Sequence, residues 1–175
     1  MAHGFNPTII IGVRTGGYIV AGLMAKHLPQ ATLLAVTCQR PGTKKKQVIP
    51  FAGKILRALP HSVTDRLRIL EHIVLTQLRT PTQGVLLPEP GELAAIEHYL
   101  LTQSGSTRIL IVDDAVDSGA TLSAVYKAVQ GIAGSGAVIK IAALTVTTAS
   151  PLLEPDFSLY RYVLCRFPWS LDAKE

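Results

Sequence analysis

Residues Ile109 to Thr121 read ILIVDDAVDSGAT. An apolar run leads into Asp113 and Asp114. A third carboxylate follows at Asp117, and then come Ser118, Gly119, Ala120 and Thr121. Adjacent carboxylates at the end of an apolar strand can accept hydrogen bonds from sugar hydroxyls and can hold Mg2+ directly or through water. A turn of small residues that opens a helix offers successive backbone N–H groups and the positive end of the helix dipole, which suits an anion. Ser118 and Thr121 add hydroxyl donors, and Gly119 allows close backbone approach. Together these residues describe a site for a ribose 5-phosphate. A helix cap at Asp117 or Ser118 would explain one residue of the stretch. It would not explain two acids placed directly after four apolar residues.

Such a site needs a strand to place it and a helix to close it. The segment Ile109–Asp114 predicts the strand, and a helix is predicted from Thr121, with Leu122, Val125, Val129 and Ile132 inward. Upstream, Thr8–Val13 (TIIIGV) predicts a buried strand, followed by a turn RTGG, a helix over Tyr18–Leu28 and a second strand over Ala31–Cys38. That is a unit of the kind that builds parallel sheets. Gln39–Pro50 reads as an exposed basic loop and Thr80–Gly91 as a proline-bearing loop. Helices are predicted at Phe51–Leu59, Thr64–Leu78 and Glu92–Gln103, and strands at Ala137–Thr147 and Ser158–Arg166. The fold class is therefore α/β: a doubly wound, mostly parallel sheet in one domain over 1–175, with a helical insertion, about 51–103, between the second and third strands.

Composition narrows the functional classes. A chain of 175 residues with 48% hydrophobic and 17% charged residues can bury a large core and suits one compact domain. No apolar run reaches the roughly 18 residues that a membrane span needs, and the N-terminus lacks the basic start of a signal peptide. Two cysteines, Cys38 and Cys165, do not make a disulfide framework. A cytoplasmic protein is expected. The net charge of +5 suits a small polyanionic substrate. Lys44, Lys45 and Lys46 form the one compact basic run, without the interleaved aromatics of RNA-reading surfaces, so nucleic acid is not the expected partner. Gly131, Gly134 and Gly136 have the wrong spacing for a dinucleotide loop and lie between a helix and a strand, the reverse of the required order. No Gly-Lys-Ser/Thr phosphate loop and no HExxH motif occurs, and the five histidines are scattered.

At every position ILIVDDAVDSGAT resembles the 13-residue phosphoribosyl pyrophosphate (PRPP) motif of the type I phosphoribosyltransferases. GVRTGGYIVAGLMAKHL resembles the pyrophosphate loop of the same family, a strand and a short turn ending in Gly-Gly before a helix. The resemblance implies that backbone amides at Arg14, Thr15, Gly16 and Gly17 face the leaving pyrophosphate, and that Arg14–Thr15 matches a peptide bond that is often cis in the family. RPGTKKKQ lies where the family carries a mobile catalytic loop, which implies that Lys44, Lys45 and Lys46 bring cations to the pyrophosphate. The chain departs from the family in three places. Thr15 stands where many members have a basic residue, the insert is longer than usual, and no leading helix precedes the first strand. The hood over the acceptor must then come from the insert, the C-terminus or another subunit.

The implied reaction moves ribose 5-phosphate from PRPP to a nitrogen of a purine-like base, with release of pyrophosphate and with Mg2+ as cofactor. Asp113 and Asp114 would serve the ribose hydroxyls and the metal, and Asp117 with Ser118, Gly119, Ala120 and Thr121 would bind the rest of the ribose phosphate. Asp117 is the expected general base. RYVLCRFPWSLD resembles the tail of xanthine-guanine-type enzymes, which implies that Trp169 flanks the base. A homo-oligomer is expected. Two other readings stay open: a non-catalytic PRPP- or nucleotide-sensing regulator on the same fold, and transfer to a specialised non-purine acceptor.

Overall fold

The computed structural model describes residues 4–39, 87–103 and 105–169. The chain divides into two compact units, Met1–Gln39 with Leu86–Cys165, and Arg40–Val85 with Arg166–Glu175. The helices predicted at Phe51–Leu59 and Thr64–Leu78, and all but the first residue of the loop predicted over Gln39–Pro50, lie outside the described residues.

In the first unit the elements are β1 (Ile9–Val13), α1 (Gly16–Ala25), β2 (Thr32–Val36), β3 (Cys38–Gln39), β4 (Leu87–Pro88), α2 (Pro90–Thr102), β5 (Arg108–Val116), α3 (Ala120–Ala133), β6 (Val138–Val146) and β7 (Phe157–Arg161). Five strands form one sheet in the order β2-β1-β5-β6-β7, and every neighbouring pair is parallel. β1 is wholly buried, as a strand covered on both faces must be, and its residues IIIGV are the continuous apolar run that such burial selects. The predicted α/β class with its mostly parallel sheet is the observed one. The loop expected over Thr80–Gly91 ends in a strand, because Leu87–Pro88 pairs antiparallel with Cys38–Gln39.

Helices α2 and α3 pack on one face. Ile96, Leu122, Val125 and Val129 join Ile9, Ile11, Ile109, Ile111 and Ile141 in the main core. Each such side chain, fully buried, contributes roughly 1.5–3 kcal/mol. Helix α1 covers the other face beside Gly12, where a Cβ would lie 2.5 Å from Tyr18 Cα and 2.9 Å from Ala21 Cβ. Only glycine permits that approach of helix to strand. Gly134 at φ 70° ends α3.

The order of strands puts β2 on one side of β1 and β5 on the other. Between β1 and β5 the direction of winding reverses, and ligands of open α/β sheets bind outside the C-terminal strand ends at such a point. The register pairs Gly12 with Val112, so the turn after β1 and the acids of β5 emerge side by side.

The last strand is shorter than predicted. Tyr162 takes φ 60° directly after Arg161, a conformation strands do not hold. Its amide donates to Val146 O at 2.7 Å, and the buried Thr145 donates its hydroxyl to Val163 O at 2.5 Å. These two bonds turn the chain across the end of β6 where Ser158–Arg166 was expected to continue.

Candidate active site at the switch point of the sheet

The exit of β1 supplies one side of the crevice. The Arg14–Thr15 peptide bond is cis, at the position the family resemblance singled out. Arg14 N donates to Val36 O at 2.9 Å, so its amide extends the β1–β2 ladder and does not face the crevice with those of Thr15, Gly16 and Gly17, as the resemblance had implied. The amides of Thr15, Gly16 and Gly17 then lie at the start of α1, where helix N–H groups have no intrahelical partner. The Arg14 side chain is held sideways. Its Nε donates to Glu92 Oε1 at 3.2 Å, and its guanidinium lies 4.9 Å from the centre of the Tyr18 ring. Glu92 also accepts from the amide of Thr37, and from its hydroxyl at 3.3 Å. One carboxylate in the first turn of α2 thus ties the ends of β1 and β2 together.

The exit of β5 supplies the other side. The strand does not end at the acid pair, as the sequence suggested, but runs on to Val116. The ladder to β6 holds from Arg108↔Val138 to Asp113↔Ala143 and resumes at Ala115↔Thr145. Ile109 and Ile111 share the core with Val116, so side-chain alternation changes phase between them. The physical reason for the longer strand is that β6 offers backbone partners as far as Val146. Asp113 Oδ1 accepts from the amide of Asp114 at 2.9 Å, and Asp114 Oδ1 from that of Ala115 at 3.0 Å.

Asp113 is partly buried. Burial first, then the neighbouring charges of Asp114 and Asp117, push its carboxyl well above the usual range, against the opposing pull of the Asp114 amide. Asp117 is exposed, and its Oδ1 lies 2.6 Å from Thr147 Oγ1. Ser118 Oγ accepts from Ala120 N at 3.3 Å, and Ser118 O accepts from Leu152 N at 2.8 Å. Gly119, at φ 71°, is the N-cap of α3 and brings no side chain to the first turn. A Cβ there would lie 2.9 Å from Leu153 N and 3.1 Å from Leu152 N, so the turn closes against the 152–153 backbone. The α3 amides beyond Ala120 open onto the C-terminal edge of the sheet and can hold an anion.

Among the described residues no group of three or more His, Cys, Asp or Glu side chains forms a metal cage. Two hard carboxylates beside a phosphate cradle do fit Mg2+, which binds through one or two carboxylates, water and substrate phosphates.

The first unit therefore brings together Arg14, Thr15, Gly16, Gly17, Asp113, Asp114, Asp117, Ser118, Gly119, Ala120 and Thr121 on two neighbouring strand ends. Lys44, Lys45 and Lys46 lie outside the described residues. Trp169 belongs to the second unit, where its ring stacks on Phe167 at 5.1 Å and 3°. Three contributors carry no signal in the sequence that marks them for the site. Glu92 stood in a predicted first helical turn, where an acid reads as a dipole partner. Thr147 and the Leu152–Leu153 backbone act across loops, and no local pattern marks them.

A search of curated proteins gives no match. Solved structures share the fold. A purine phosphoribosyltransferase from Pyrococcus horikoshii Ot3 is 21% identical with a TM-score of 0.53, over 95% of this chain and 78% of that one. An adenine phosphoribosyltransferase from Rhodothermus marinus DSM 4252 is 18% identical with a TM-score of 0.51, over 91% and 72%. A Helicobacter pylori xanthine-guanine-hypoxanthine phosphoribosyltransferase is 17% identical with a TM-score of 0.51, over 89% and 69%. The family model "Phosphoribosyl transferase domain" matches residues 1–175. With that match over a parallel sheet whose switch-point crevice is flanked by the turn after β1 and the acids of β5, the chain belongs to the phosphoribosyl transferase domain family and is a phosphoribosyltransferase.

Proposed function

We propose that this protein transfers ribose 5-phosphate from PRPP to a ring nitrogen of a purine-like base, with Mg2+ as cofactor. The observation that supports it most is the apposition of two anion-accepting turns, Thr15–Gly17 and Ser118–Thr121, around the acids of β5. PRPP carries a phosphate at one end, a pyrophosphate at the other and ribose hydroxyls between. Ser118, Gly119, Ala120 and Thr121 bind the 5-phosphate. Asp113 and Asp114 bind the ribose hydroxyls and would hold the metal, which when bound would supply positive charge on the pyrophosphate side. The amides of Thr15, Gly16 and Gly17, with Lys44, Lys45 and Lys46, form the pyrophosphate side, and Arg14 braces that turn through its bonds to Val36 and Glu92.

In the reaction the acceptor nitrogen attacks C1 of the ribose and the C1–O bond to pyrophosphate breaks, its electron pair leaving with the pyrophosphate oxygen. Asp117 takes the proton that the nitrogen loses. Positioning and charge stabilisation carry most of the rate. Trp169 is the proposed aromatic neighbour of the base. We assign the protein to the cytoplasm and to a homo-oligomer. No described helix is long and apolar enough to cross a membrane.

The test is pyrophosphate release from PRPP and Mg2+ with adenine, guanine, hypoxanthine, xanthine, pyrimidines and simple amines. Release with a purine is the expected result. Silence with all of them, alongside intact PRPP binding, would favour a sensing role instead. The double change Asp113→Ala/Asp114→Ala is expected to abolish PRPP binding, and Asp117→Ala to lower turnover while PRPP still binds.

A further inference from the structure

We propose that Thr147 is a positioning residue for Asp117: it holds one carboxylate oxygen so that the other meets the acceptor proton. The inference rests on the reading of Asp117 as general base and extends it to a residue on a different strand end.

The β5–β6 ladder ends at Val116↔Val146, and Asp117 and Thr147 are the next residue of each strand. Thr147 N donates to Val116 O at 3.0 Å, continuing the ladder one step and fixing the Thr147 backbone. Its hydroxyl lies 2.6 Å from Asp117 Oδ1 and 3.4 Å from Val116 O. The hydroxyl has one proton, and the shorter contact to a carboxylate is the stronger acceptor. Thr147 therefore donates to Asp117 Oδ1, and Oδ2 remains for the substrate.

Asp117 needs such a partner. It is exposed, and an unheld carboxylate at a turn samples several rotamers. Its main chain is already set from both sides, by β5 before it and by the bond from Leu152 N to Ser118 O at 2.8 Å after it. Only χ1 and χ2 remain free, and Thr147 restricts both. Thr147 is itself β-branched, with a stiff χ1, and only partly exposed. As the acceptor nitrogen bonds to C1 of the ribose, its proton passes to Oδ2, while Oδ1 keeps the Thr147 bond.

Two measurements test this on the full-length protein. The first does not depend on activity. Urea unfolding of wild type, Thr147→Val, Asp117→Ala and the double variant forms a cycle. Coupling between the sites is expected, with the double variant's midpoint closer to either single variant than additivity predicts. Additive midpoints would overturn the proposal, whether or not the protein proves to be an enzyme.

The second uses PRPP, Mg2+ and the most active of adenine, guanine, hypoxanthine and xanthine. Thr147→Val is expected to lower kcat by about 10- to 100-fold with KM for PRPP unchanged, and Thr147→Ser to recover most of it. A Val variant with wild-type kcat, or a Ser variant as poor as Val, would overturn the positioning role. If wild type releases no pyrophosphate with any base, the enzymatic reading fails, and the unfolding cycle still decides whether Thr147 holds Asp117.

Discussion

A methyl group on Gly17 would lie 2.7 Å from the Cα of Asp113 and 3.0 Å from its Oδ1. The first turn of α1 therefore rests directly on the acid of β5, and the two halves of the proposed PRPP site touch at one glycine. The nearest atom of all is Val112 O, at 2.5 Å, which is backbone and cannot swing aside. Gly17→Ala should cost about 1–3 kcal/mol through overpacking and should lose PRPP affinity, since α1 and β5 must part. Gly91→Ala, whose Cβ would have 4.0 Å to Glu89 Oε1, is the control. Thermal melting and calorimetric PRPP binding of both variants check this.

The raised proton affinity of Asp113 has a sign that can be measured. Between the ordinary aspartate range and the raised folded value, the folded chain holds a proton that the unfolded chain has released. The metal-free protein should therefore lose stability as pH rises through that window. Asp113→Asn keeps the shape and removes the titration. Its metal-free melting temperature should exceed that of wild type at pH 7, by about 2–4 °C per kcal/mol recovered, with the gap closing as pH falls toward about 4. PRPP binding should be lost in the same variant. Melting curves at several pH values and one titration decide both.

Glu92 is expected to matter more than its ion pair suggests. The Arg14–Glu92 contact is half exposed on the arginine side, and such pairs contribute about 0–1 kcal/mol. The same carboxylate accepts from the amide and the hydroxyl of Thr37. Removing it leaves that amide unpaired, at about 1–3 kcal/mol. Glu92→Ala should thus destabilise more than Arg14→Ala and should raise KM for PRPP by loosening the turn after β1. Urea midpoints and PRPP kinetics of the two variants compare the effects.

Gly119 is constrained twice, by φ 71° and by the backbone of Leu152 and Leu153. Gly119→Ala should weaken PRPP binding by misplacing the first turn of α3, and Gly134→Ala, with the same sign of φ but open space, should reduce stability alone. Calorimetry against PRPP separates the two.

Much of this was legible in the residues. Buried runs such as TIIIGV and the periodic Leu122, Val125 and Val129 declared a parallel α/β sheet because burial on both faces leaves no polar position. The acidic stretch stood out as a candidate site because its chemistry is contiguous. The end of β5 was misjudged because Asp113 and Asp114 are poor strand formers by propensity, and pairing with β6 overrides propensity. The close of β7 depended on Thr145, whose hydroxyl bonds Val163 O 18 positions on. Glu92 and Thr147 act on residues 78 and 30 positions distant, and separation of that order leaves no trace in a local window.

The pairing of Ile9 with Ile109 sets a timetable for the chain. A parallel neighbour 100 positions on in sequence cannot be recruited until the intervening residues have been made, and closing that loop is entropically slow. During synthesis the Thr15–Gly17 turn emerges early, yet it has no opposite wall until β5 arrives, and Asp117 has no Thr147 until β6 follows. If PRPP spans these parts as proposed, it can reward only chains that have reached β6, and it should protect none of the shorter ones from proteolysis.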